Sequence, residues 1–83
     1  MFKIFIHKEA FNEFNKLHPA FKYAIVEFAR KLTRSHIPAD HDVRKIDGID
    51  SAYYVRIGRY EVFYEVEILN GKINIIHIRK ASG

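Results

Sequence analysis

Two dipeptides, Gly58-Arg59 and Asn70-Gly71, divide residues 53–82 into three runs rich in β-branched and aromatic side chains. Gly-X is the signal of a type II′ turn and Asn-Gly of a type I′ turn, and both join antiparallel strands through two residues. Residues 53–57, 60–69 and 72–80 are therefore expected as three consecutive antiparallel strands. Loops that short also set the register. Ile57 falls opposite Tyr60, Val55 opposite Val62 and Tyr53 opposite Tyr64. In the second hairpin Leu69 falls opposite Lys72, Ile68 opposite Ile73, Val66 opposite Ile75 and Tyr64 opposite His77.

Alternation then sorts the ribbon into two faces. One collects Tyr53, Val55, Ile57, Tyr60, Val62, Tyr64, Val66, Ile68, Ile73, Ile75 and His77, and this is the side that needs covering. A single residue of bulge before His77 would expose it instead. The other face collects Tyr54, Arg56, Glu61, Phe63, Glu65, Ile76, Ile78 and Lys80. In this register Glu61 lies between Arg56 and Lys80, in a charged row flanked by Tyr54 and Phe63. An exposed Arg56–Glu61 salt bridge is expected there, contributing roughly 0.2–1 kcal/mol.

The preceding residues supply the cover. Residues 2–7 alternate, with Phe2, Ile4 and Ile6 on one side, and read as a first strand. Over residues 8–17, Ala10, Phe11, Phe14 and Leu17 recur at helical spacing, and His18-Pro19 closes that helix. Pro19 suits the first turn of a second helix, whose apolar stripe is Phe21, Ala24, Ile25, Phe28 and Leu32. Residues 35–42, with Pro38 and an Asp-His-Asp run, read as a loop. Residues 43–46 read as a short strand or an extended lead-in to the Asp47-Gly48 turn. The expected fold is one α+β domain over residues 1–83: an N-terminal strand, a helical hairpin, then a three- to four-stranded antiparallel sheet with the helices packed on one face.

A chain of 83 residues has room for one small core. Without cysteine it has neither a disulfide framework nor thiolate chemistry, which fits a reducing cytoplasm. No apolar run reaches the length of a membrane span and no leader pattern precedes the domain, so a cytoplasmic protein with no membrane partner is expected. Fourteen Lys and Arg against ten Asp and Glu give a net charge of +4, which suits an anionic partner such as nucleic acid or an acidic protein segment. His36, Asp40, His41 and Asp42 match no metal site of defined geometry, and no cofactor motif occurs, so neither metal nor cofactor is expected.

Several segments together carry a family resemblance. They are Arg44-Lys45-Ile46-Asp47-Gly48, Tyr54-Val55-Arg56-Ile57-Gly58-Arg59-Tyr60, Val62-Phe63-Tyr64-Glu65-Val66 and Ile75-Ile76-His77-Ile78-Arg79, with Ile4-Phe5-Ile6-His7-Lys8 ahead of a helical hairpin. In this order the chain resembles the RelE/ParE superfamily, toxins of type II toxin–antitoxin modules. The resemblance implies a cognate antitoxin partner. It implies further either ribosome-associated cleavage of mRNA, as in the RelE branch, or poisoning of DNA gyrase, as in the ParE branch. RelE-type chemistry is attack of a ribose 2′-hydroxyl on the adjacent phosphate. It needs cations around the phosphate and groups to take and give protons, and no metal.

Carried over by position, Arg56 matches a basic position that contacts RNA, and Tyr54 stands where a second basic residue often sits. The family's Arg after Tyr60 is Glu61 here, its late Arg is Ala81, and the sequence runs to Gly83 without the C-terminal tyrosine used in RelE-type catalysis. The catalytic candidates are Arg56, Glu61, Arg79 and Lys80, with Glu61 as proton acceptor and the cations on the phosphate. Lys45, Tyr54, Arg59, Phe63, Ile76 and Ile78 are candidates for binding RNA or a partner; Phe63, Ile76 and Ile78 would form a groove for an amphipathic antitoxin segment. The three departures favour an alternative, a toxin that acts by binding gyrase or antitoxin alone.

Overall fold

The computed structural model of the chain describes residues 1–82. In chain order the elements are β1 (Lys3–Ile6), α1 (Lys8–Asn15), α2 (Pro19–Leu32), β2 (Val43–Lys45), β3 (Ala52–Ile57), β4 (Tyr60–Glu67) and β5 (Lys72–Lys80). Pro19 opens α2, where its missing N–H leaves no bond unmade, and His18 Nδ1 caps that end by accepting from the Ala20 N–H at 3.2 Å. Ala10, Leu17, Ile25, Phe28 and Leu32 from the helical side meet Val55, Ile57, Val62, Tyr64, Val66, Ile73, Ile75 and Ile78 from the sheet. No helix among the described residues is long and apolar enough to cross a membrane.

The segment after α2 closes the rest of the covered face. His36 sits edge-on to both Phe2 and Tyr53, and His41 edge-on to Phe28. The buried Tyr64 hydroxyl donates to the His36 carbonyl at 2.7 Å. Burial raises the phenol's pKa, so it stays protonated and keeps donating. Asp40 binds the Lys31 ammonium and the His41 ring, and those hydrogen bonds, Lys31 first, lower its pKa to about 2. The two histidines and Asp40 thus tie a loop to the core.

The sheet order is β1-β5-β4-β3-β2. Strands β2 to β5 are antiparallel as expected, and β1 adds a fifth strand, parallel to β5, with Ile4 opposite Ile73 and Ile6 opposite Ile75. The β3–β4 hairpin has the expected register, Ile57 with Tyr60, Val55 with Val62 and Tyr53 with Tyr64. Gly58 adopts φ +62 there, and a Cβ on it would stand 2.7 Å from the Phe21 ring.

The second hairpin departs from expectation. Pairing starts at Glu67 and Lys72, so the connection is the four residues 68–71, closed by the Gly71 N–H on the Ile68 carbonyl at 3.2 Å. Glu67 accounts for the wider turn: its carboxylate accepts from the Asn70 amide at 2.9 Å and from the Asn74 amide at 2.6 Å. The expected pairs of Leu69 with Lys72, Ile68 with Ile73, Val66 with Ile75 and Tyr64 with His77 are replaced by Val66 with Ile73 and Tyr64 with Ile75. Leu69 stands fully exposed at the tip and Ile68 is exposed beside it.

A bulge follows. Tyr64 pairs with Ile75 and Phe63 with His77, which leaves Ile76 as an extra residue. Beyond it every side chain of β5 sits on the other face from the one the short loop implied. His77 comes to the open face opposite Phe63, Ile78 enters the core opposite Val62 at 1% exposure, Arg79 lies opposite Glu61, and Lys80 lies opposite Tyr60 on the helical side.

Candidate nucleic-acid interface

Three adjacent strands each contribute one ring to a row across the open face. Tyr54 of β3 stacks on Phe63 of β4 with centroids 5.5 Å apart and planes 24° apart, and Phe63 meets His77 of β5 at 5.7 Å. Cross-strand register makes this row, since Tyr54, Phe63 and His77 are directly opposite neighbours. One step nearer the Gly58 turn, Arg56, Glu61 and Arg79 form a second row by the same rule.

The charges in that second row pair differently from expectation. Glu61 turns toward β5, where Arg79 Nε donates to its Oε1 at 2.9 Å. Arg79 also lies over the Phe63 ring, 4.9 Å from its centroid, which ties the charged row to the aromatic one. Arg56 makes no bridge to Glu61; its Nε donates to the Gly58 carbonyl at 3.1 Å, held by the hairpin itself. Among the described residues Arg56 has no carboxylate partner, so its remaining donors face solvent. Glu61 is the least exposed member of the row, its side chain at 19% against 57% for Arg79.

The candidates divide accordingly. Arg56, Glu61, Arg79, Tyr54 and Phe63 come together on the open face. Ile76 also borders that side, half-buried among Phe5, His7, Glu65, Glu67 and Asn74. Ile78 is in the core, so the proposed groove of Phe63, Ile76 and Ile78 is not formed as expected. Lys80 is displaced by the bulge to the sheet's edge, beside α1. Lys45 pairs with Tyr53 and so falls on the helical side, whereas its neighbour Arg44 pairs with Tyr54 and brings a guanidinium to the open face, where it holds Asp42 at 3.1 Å. Arg59 leans over Phe21 of α2, 5.9 Å from the ring centroid, away from the row.

The site residues misplaced by the sequence register are His77 and Arg79, and both come to the open face through the one-residue bulge at Ile76, which the hairpin dipeptides do not signal. Guanidiniums can hold phosphate, stacked rings can receive unpaired bases, and a carboxylate and an imidazole can exchange protons with a ribose and a leaving oxygen. A helical hairpin sealing one face of a small sheet, with a charged and aromatic opposite face, is the arrangement of a RelE/ParE-type α+β domain.

The comparisons agree with that class. The chain is 32% identical over 82 residues to the protein named toxin RelE1 of Methanocaldococcus jannaschii, covering 98% of this chain and 88% of that one. It superposes on RelE in the RelE–RelB complex of Pyrococcus horikoshii with a TM-score of 0.86 and 27% identity, covering 95% of this chain and 93% of that one. The isolated RelE toxin of Escherichia coli gives a TM-score of 0.85 at 16% identity, covering 100% and 87%, which is a likeness of fold. No family model matches the chain. The chain belongs to the RelE family of toxins from type II toxin–antitoxin systems.

Proposed function

We propose that this toxin arrests translation by cutting mRNA on the ribosome, with the open face of the sheet as the RNA-binding and cleaving surface. The observation that carries this reading is the pairing of two rows, Tyr54–Phe63–His77 for bases and Arg56–Glu61–Arg79 for the phosphate and ribose. Glu61 accepts the proton of the attacking 2′-hydroxyl. Arg79 orients that carboxylate and shares the phosphate with Arg56, whose free donors point to solvent. A cognate antitoxin restrains the toxin. RelE–RelB complexes of Pyrococcus horikoshii and Escherichia coli share this fold, which supports such a partner here.

One observation favours a second reading. The Glu61–Arg79 pair neutralises part of the row, as a face that binds without cutting would tolerate. Expression of the chain alone, with mapping of mRNA ends and of DNA breaks, separates the two. Cleavage within translated codons is expected, and purified ribosomes carrying mRNA should reproduce it. Glu61→Gln should fold normally and cut about 10²–10⁴-fold more slowly, the usual worth of a proton-transfer group. Intact mRNA with accumulating DNA breaks would instead assign the toxin to gyrase.

A further inference from the structure

The cleavage proposed above needs a proton donor for the leaving oxygen, and Glu61 occupies only the accepting side. We propose that His77 is that donor. The assignment rests on the cleavage reading and extends it to a second catalytic residue.

The Ile76 bulge places His77 on the open face, exposed, directly opposite Phe63. Glu61 is opposite Arg79, two residues further along β5, so Glu61 and His77 are diagonal neighbours. Diagonal positions on one face of an antiparallel pair lie about 7–8 Å apart. A phosphate held by Arg79 across that diagonal would turn its attacking oxygen to Glu61 and its leaving oxygen to His77. Arg79, opposite Glu61 and two residues from His77 on the same face, is fixed by Glu61 and the Phe63 ring. Contact with Phe63 at 5.7 Å limits how the imidazole can turn.

Beyond β1 the outer edge of β5 is flanked by α1, and His77, Arg79 and Lys80 border a groove there with Glu9, Glu13 and Lys16. The charged groups around the imidazole are thus Arg79 and Lys80 on its own strand, Glu61 and Glu65 on β4, and Glu9, Glu13 and Lys16 on α1. The cations of that groove lie on its β5 wall, Arg79 and Lys80, while the α1 wall carries Glu9 and the Glu13–Lys16 pair at 3.4 Å.

The step balances as follows. The 2′-hydroxyl gives its proton to the Glu61 carboxylate as its oxygen forms a bond to phosphorus. The phosphorus–O5′ bond breaks, its electron pair leaves on O5′, and the imidazolium of His77 gives that oxygen a proton. The products are a 2′,3′-cyclic phosphate and a 5′-hydroxyl end. Glu61 ends protonated and His77 neutral, and proton exchange with water restores both.

The test uses ribosomes programmed with mRNA whose cleaved linkage carries either the ordinary 5′-oxygen or a bridging 5′-sulfur, a leaving group that needs no proton. His77→Phe keeps a ring against Phe63, and a thermal melt checks that it folds. It should cut the ordinary linkage about 10²–10⁴-fold more slowly than the wild type and the sulfur linkage at nearly the wild-type rate. The wild-type rate on the ordinary linkage should fall at alkaline pH, and the variant should lose that limb. Equal slowing on both linkages, or no slowing, overturns the role of His77 while leaving cleavage intact. A wild-type chain that cuts neither linkage overturns the cleavage reading and the assignment with it.

Discussion

Asp40 shows how a single carboxylate can fasten a loop. It is bound by Lys31 and His41, and its pKa is lowered from 3.8 to about 2. A folded-state pKa below the unfolded one adds stability that is present above the unfolded value and disappears as pH falls through the folded value. The contribution of Asp40 is therefore complete above about pH 4 and gone below about pH 2. Asp40→Asn should flatten the decline of the melting temperature across that interval, and an unchanged decline would show that Asp40 is not its source. The sequence displayed His36, Asp40, His41 and Asp42 as polar residues in a loop. That two of their rings would pack edge-on against Phe2, Tyr53 and Phe28 depends on side chains distant in the chain, which no local pattern reports.

The two hairpins differ in how far a turn dipeptide determines its strands. At Gly58-Arg59 the dipeptide sets the register, because positive φ at Gly58 suits the turn, and a Cβ there would also have to push the Phe21 ring aside. Gly58→Ala should cost upwards of about 1 kcal/mol from backbone conformation, with further loss from the ring contact. A lowered urea midpoint at constant m checks this; a midpoint within error of the wild type would refute it. At Asn70-Gly71 the dipeptide misleads, because Glu67 draws in both Asn70 and Asn74 and widens the loop. That error shifted pairing by two residues, which keeps each side chain on its face, and the one-residue bulge at Ile76 then moved Ile78 and Lys80 off the open face and brought His77 and Arg79 to it. Helices were legible because their stripes depend on neighbours three and four residues away. The row at the site was only partly legible, since the one-residue bulge at Ile76, which no local pattern marks, decides which side chains of β5 turn outward beyond it.

Over the whole molecule, a net charge of +4 is less informative than its placement. Arg44, Arg56 and Arg79 share the open face, with Glu65 and Glu67 toward its other end. Three phosphate contacts at about 0.7 per single-stranded phosphate predict a slope of roughly −2 for log affinity against log salt. Fluorescence anisotropy with single-stranded RNA should show it, and Arg79→Ala should reduce the slope by about 0.7. A slope near zero would mean that phosphates do not sit on this face. The parallel seating of β1 against β5 also orders events during synthesis. The strand made first waits for the one made last, and that last strand brings His77 and Arg79 with it. A nascent copy whose β5 has not yet emerged lacks two of the six side chains in the paired rows, so its open face stays incomplete until that strand seats between β1 and β4.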